Sequence, residues 1–109
     1  MSLTSQRCGP CHGGIPPLSL EEVKILLLEI PGWQLQDNPS CLQREYKFKN
    51  FKQAMVFVNQ VAEIAEDQKH HPDFQIIYNR VILKLNTHAI KGLSKNDFIV
   101  AAKINERNP

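Results

Sequence analysis

The sequence predicts an α+β domain: a four-stranded antiparallel sheet with three helices packed on one face, in the order α-β-β-α-β-β-α. Two observations carry this. Apolar residues recur at helical spacing in three separate windows, and between those windows short stretches alternate with period two. The strands come in pairs separated by only a few turn-forming residues, which suits hairpins and therefore antiparallel pairing. At 109 residues the chain has room for one core.

The first helix opens at Ser19-Leu20-Glu21-Glu22, where Ser19 can cap and Glu22 can reciprocate. Val23, Leu26, Leu27 and Ile30 form its apolar face, and Pro31-Gly32 end it. Trp33 to Gln36 reads as a short strand, followed by a turn at Asn38-Pro39-Ser40. Leu42, Arg44, Tyr46 and Phe48 then alternate as a second strand whose apolar face Arg44 interrupts. Asn50 is a natural cap for the longest helix, along which Phe51, Ala54, Met55, Val58, Val61, Ala62 and Ala65 recur at three- and four-residue steps. That spacing leaves Phe57 and Ile64 off the stripe, and they are expected on a face buried between subunits. The helix cannot pass His71, because a residue before proline is driven out of the α region. Phe74, Ile76 and Tyr78 alternate, Asn79-Arg80 can turn, and Val81, Leu83 and Leu85 alternate again. The last helix starts at Ser94, with Asp97 in the reciprocating position and Phe98, Ala101, Ala102 and Ile104 facing inward.

Composition narrows the function classes. The chain is 42% hydrophobic and 22% charged with a net charge of +2, and no basic run with interleaved aromatics suggests a nucleic-acid surface. No apolar run approaches the roughly 20 residues of a membrane span, and no secretory layout opens the chain. Three cysteines make no disulfide framework, so a cytoplasmic location is expected. Residues 1–17, rich in Gly, Pro, Ser and Cys, read as a flexible and separable tail ahead of a domain over 18–109. Within that tail, Cys8-Gly9-Pro10-Cys11-His12 matches the local form of a redox pair or a haem tether. Its context fits neither, and zinc would lack a fourth ligand.

Three of the four histidines converge on one end of this fold. His70 and His71 leave the long helix, and His88 follows the last strand. Imidazole titrates nearest neutral pH of all side chains, and no obvious nucleophile accompanies these rings, so acid–base chemistry suits them better than covalent catalysis. Asp97 falls in the same neighbourhood, although its place in a capping box explains it structurally. Glu66, one helical turn before His70, could contact that ring. Tyr78 reads as core, and Cys41 as an inert thiol.

The string Glu66, His70-His71-Pro72, Tyr78, His88 and Asp97, with Pro31-Gly32-Trp33 after the first helix, resembles the signature of pterin-4a-carbinolamine dehydratases over about Leu18 to Ile104. The resemblance implies dehydration of a 4a-hydroxytetrahydropterin to the quinonoid dihydropterin, in support of tetrahydrobiopterin recycling. It implies catalysis by His70, His71 and His88, with Glu66 and Asp97 also at the substrate, and no metal or cofactor. Within the set, His71 and His88 are expected to transfer protons and His70 to bind. Lys69 and Ala89, beside the histidines, depart from some members. The resemblance further implies a homodimer or homotetramer. The alternative it carries is the role of animal members, which bind a homeodomain transcription factor as a dimerisation cofactor.

Overall fold

A computed structural model describes residues 3–9, 16–36 and 40–107. It contains helices α1 (Leu20–Leu27), α2 (Phe51–Gln68) and α3 (Lys95–Glu106), and strands β1 (Gln34–Gln36), β2 (Cys41–Lys47), β3 (Asp73–Ile77) and β4 (Arg80–Leu85). The strands pair antiparallel in the spatial order β1-β2-β4-β3, so β1 and β3 are the edges. Element order and sheet type are those the sequence predicts. The Asn38-Pro39 part of the expected turn lies outside the described residues.

Register explains which face is covered. Leu42 pairs with Leu85, Arg44 with Leu83 and Tyr46 with Val81, so these side chains share one face. All of them except Arg44 are buried, together with Phe57, Val61 and Ile64 of α2 and Phe98, Val100 and Ile104 of α3. The other face carries Glu45, Lys47 and Lys84, all exposed, and an Arg80–Glu45 ion pair at 3.1 Å. The guanidinium of Arg44, which breaks the apolar alternation, lies 4.6 Å from the centre of the Tyr46 ring and donates to Asn105 Oδ1 at 2.7 Å. Trp33 Nε1 donates to the same oxygen at 2.9 Å, and Asn105 Nδ2 donates to the Pro31 carbonyl at 3.1 Å. One amide on α3 therefore ties down the Pro31-Gly32-Trp33 corner. Gly32 is required there: its φ is +91°, and a Cβ would stand 2.6 Å from the Arg44 guanidinium carbon.

Four expectations change. The buried stripe of α2 is Ala54, Phe57, Val61, Ile64, Ala65 and Gln68. Phe57 and Ile64 thus belong to the core at 2% and 8% exposure, while Phe51 and Val56 face outward. The helix is apolar on more than one side, and spacing alone does not say which side the sheet takes. The β3–β4 turn comes one residue early, at Tyr78-Asn79, with Tyr78 at φ +51° and 66% exposed rather than in the core. Asn79 fixes this register by donating its side-chain amide to the Phe48 carbonyl at 2.9 Å while its own carbonyl accepts from the Phe48 N–H. Finally, residues 3–9 are docked. Leu3–Ser5 form a 3-10 turn packed on α3, Leu3 is 2% exposed, and Lys103 Nζ donates to the Thr4 carbonyl at 2.9 Å. Leu3 is a large apolar residue near the start of the chain, and the core takes it.

Truncating Phe57 removes an aromatic ring that lies 4.5 Å from the Tyr46 ring and 5.2 Å from Phe48, centroid to centroid. Phe57→Ala is expected to cost about 3–5 kcal/mol in urea unfolding. Lys52→Ala, exposed on the same helix, is expected to cost less than about 0.5 kcal/mol.

Candidate active site

The exit of α2 sets the histidines. The capping residue Lys69 adopts a left-handed conformation (φ 55°), and its N–H and that of His70 both donate to the Ala65 carbonyl. A left-handed residue reverses the chain direction, as glycine commonly does at this position. Pro72 then forbids a return to helix. The two neighbouring imidazoles consequently meet different surroundings: the His70 side chain is 12% exposed and that of His71 is 56% exposed.

His70 Nε2 lies 2.6 Å from Asp97 Oδ1. Asp97 is fully buried, and its second oxygen accepts from the Ser94 backbone N–H at 2.9 Å and from the Thr87 hydroxyl at 2.8 Å. Thr87 Oγ1 is also 2.7 Å from Ser94 Oγ. A buried carboxylate is tolerable only when its lone pairs are met, and here three donors meet them. Because the carboxylate accepts, the proton of a neutral His70 belongs on Nε2, leaving Nδ1 as the ring's remaining acceptor. His71 Nε2 is paired in turn with Glu66 Oε2 at 2.5 Å, but both groups are exposed, so water competes for that bond.

His88 opens a 3-10 turn, His88–Ile90, directly after Thr87. A bridge between Thr87 and Gly92 closes the turn, and Lys91 at φ 54° supplies the reversal. The His88 ring makes no hydrogen bond among the described residues. His70, His71 and His88 line one cleft of about 600 Å³. Asn86, Thr87 and Ala89 from the segment after β4, and Gln68 and Lys69 from the end of α2, also line it.

The expected residues therefore come together, with two adjustments. Glu66 meets His71 rather than His70, and Asp97 stands behind His70 with no surface of its own. Both the cap and the neighbourhood expected of Asp97 are present in one carboxylate. Thr87, Gln68 and Asn96 carry no reading in the sequence, and Cys8 and Gly9, read there only as part of a redox- or haem-like motif in a tail, also border the cleft. Gln68 did have a signal, because it continues the buried stripe of α2 as its one polar member. Cys11 and His12 lie outside the described residues. Cys41 is buried, and burial pushes its thiol up, as an inert cysteine requires. No helix among the described residues is long and apolar enough to cross a membrane.

Comparison with known proteins identifies the class. The family model for pterin 4 alpha carbinolamine dehydratase matches residues 16–107. A relative from Methylococcus capsulatus is 46% identical over 105 residues, covering 96% of this chain and 92% of its own length. One from Cupriavidus pinatubonensis is 47% identical over 104 residues, covering 95% and 90%. Both are provisionally named as pterin-4-alpha-carbinolamine dehydratases. The crystal structure of a transcriptional coactivator/pterin dehydratase from Brucella melitensis superposes with a TM-score of 0.78 at 37% identity, covering 83% of this chain and 96% of that one. The fold alone is shared with a pterin dehydratase-like RuBisCO assembly factor, at 19% identity and a TM-score of 0.60. The chain belongs to the pterin-4a-carbinolamine dehydratase family. It is an enzyme of the hydro-lyase class.

Asp97→Asn replaces one acceptor oxygen by a donor and leaves the network mismatched. The expected loss is about 1–3 kcal/mol of stability, or about 5- to 150-fold in kcat/KM, because a buried group is left unpaired. Glu66→Gln, at an exposed pair, is expected to change kcat/KM by less than about threefold. Parallel urea unfolding and steady-state kinetics check both.

Proposed function

We propose that this enzyme dehydrates a 4a-hydroxytetrahydropterin by histidine acid–base catalysis, in support of tetrahydrobiopterin recycling in the cytoplasm. The observation that carries the reading is the convergence of His70, His71 and His88 on one cleft. In the reaction the C4a–O bond breaks, the departing hydroxyl takes a proton and leaves as water, and N5 gives up its proton as the C4a–N5 double bond forms. One proton donor and one acceptor balance that step. His71 and His88, the two exposed rings, fill those roles. His70, held by Asp97, binds and orients the ring system, and Asp97 is a positioning residue. Each positioned proton-transfer group typically contributes about 10²- to 10⁴-fold.

His71→Ala and His88→Ala are each expected to lower kcat by about 10- to 1,000-fold with the fold intact by circular dichroism. His70→Ala is expected to act mainly through KM. Stopped-flow dehydration of the carbinolamine by the wild type and these variants tests the reading. Wild-type turnover in both the His71 and His88 variants contradicts it, and exhaustive chelation is expected to change nothing.

The enzyme is further proposed to be a homodimer or homotetramer. Every residue of edge strand β3 is exposed, with Phe74, Ile76 and Ile77 at 37%, 38% and 42%. An exposed apolar edge is a template for pairing with another chain. Phe51 and Val56, at 49% and 54%, take the outward position on α2 that the sequence assigned to Phe57 and Ile64. Sedimentation at micromolar concentration is expected to show a multiple of 12.5 kDa, and Ile76→Lys is expected to shift it toward monomer. A wild-type monomer contradicts the assembly.

A further inference from the structure

One wall of the cleft comes from neither the histidines nor the helices that carry them. Cys8 and Gly9 border the same cavity as His70, His71 and His88, having reached it from the opposite end of the chain. Cys8 N–H donates to Gln68 Oε1 at 2.9 Å, and its thiol lies 3.6 Å from the Asn96 carbonyl. Gly9 pairs with the Asn96 side chain in both directions: its N–H donates to Oδ1 at 3.1 Å, and its carbonyl accepts from Nδ2 at 2.7 Å. Arg7 adds an ion pair to Asp67 at 3.3 Å, exposed and therefore weak.

The anchors are the informative part. Gln68 and Asn96 are 5% and 8% exposed. Burying an amide side chain is unfavourable unless its donors and acceptors are met: Cys8 N–H meets the Gln68 oxygen while the Gln68 amide donates to Asp67, and the Gly9 backbone meets both ends of Asn96. Gln68 lies two residues before His70, and Asn96 directly precedes Asp97. The elements that position the His70–Asp97 dyad therefore also hold the arm. What the arm presents to the cleft is a thiol next to a residue without a Cβ. A Cβ built on Gly9 would meet nothing within 4 Å. Such a wall leaves room for a flat bicyclic ring and offers it a polarisable contact.

We infer that the N-terminal arm, through Cys8 and Gly9, forms a substrate-binding wall of the active-site cleft and sets affinity for the pterin ring. This rests on the dehydratase reading above. It assigns the arm to binding rather than proton transfer, so KM and kcat should separate. Deleting the arm would also remove Leu3 from the core, so point changes are the cleaner test. A Cβ at Gly9 meets open space, so Gly9→Leu grows into the cleft rather than into the backbone. It is expected to raise KM about tenfold with kcat within about threefold and an unchanged Tm. Asn96→Ala, which releases Gly9, is expected to raise KM in the same sense. Alkylation of Cys8 in the wild-type chain by iodoacetamide, followed by peptide mass spectrometry, is expected to slow several-fold with saturating 7,8-dihydropterin. Unchanged KM in a folded Gly9→Leu, together with Cys8 alkylation indifferent to the pterin, overturns the inference. A wild type without turnover would instead defeat the dehydratase reading, and the alkylation experiment would still report on the wall.

Discussion

The buried carboxylate of Asp97 is the constraint on which the active end of this molecule depends. Its two oxygens collect His70 from the exit of α2, Thr87 from the segment after β4, and the backbone of Ser94 at the start of α3. The exit of α2, 27 residues upstream, is thereby held to the same point as the segment after β4 and the start of α3. The arrangement is self-consistent in charge, because an acid in the first turn of a helix lies at the positive end of the helix dipole. It is also strict, because a buried carboxylate tolerates no missing donor. The geometry of His88 follows from the same point, since the turn that carries it starts at Thr87.

Around that point the fold divides its labour. The central strands β2 and β4 bury one face under the helices and hold the frame. Of the three left-handed non-glycine residues among those described, Lys69 and Lys91 stand beside the histidines, and Tyr78 makes the β3–β4 turn. Non-glycine residues with positive φ cost about 1–2 kcal/mol each and persist where surrounding contacts enforce them. Here they turn the chain within one residue, which places His70 against Asp97 and leaves His71 exposed. A continuous helix through 68–72 would put the two rings about 100° apart on one axis, and Pro72 rules that helix out.

Much of this was legible in the sequence. The capping boxes at Ser19 and Ser94, the proline stop after His71 and the alternation of Val81, Leu83 and Leu85 each encode local geometry, and each is present. What was not legible depended on tertiary choices. Helix α2 has apolar residues on several sides, so periodicity could not say that Phe57 and Ile64, rather than Met55 and Val58, meet the sheet. Arg44 looked like a break in a strand because its partners, Pro31 and Asn105, lie on other elements. The ends of the chain were harder still. Gly, Pro and Ser near residues 1–17 suggest a free tail, yet Leu3 and the amides of Gln68 and Asn96 supply enough buried contact to hold residues 3–9. Glu66 was matched to the wrong ring because helical spacing was extended past Lys69, where the helix has already ended.

The dyad makes a statement about a single proton. Selective ¹⁵N labelling of histidine, with NMR at a pH that leaves the imidazole neutral, reads which nitrogen of His70 carries hydrogen. Protonated Nε2 and bare Nδ1, held as one tautomer in the wild type and lost in Asp97→Asn, is the expected result. A His70 protonated on Nδ1, or averaging freely between tautomers in the wild type, would contradict the role assigned to Asp97.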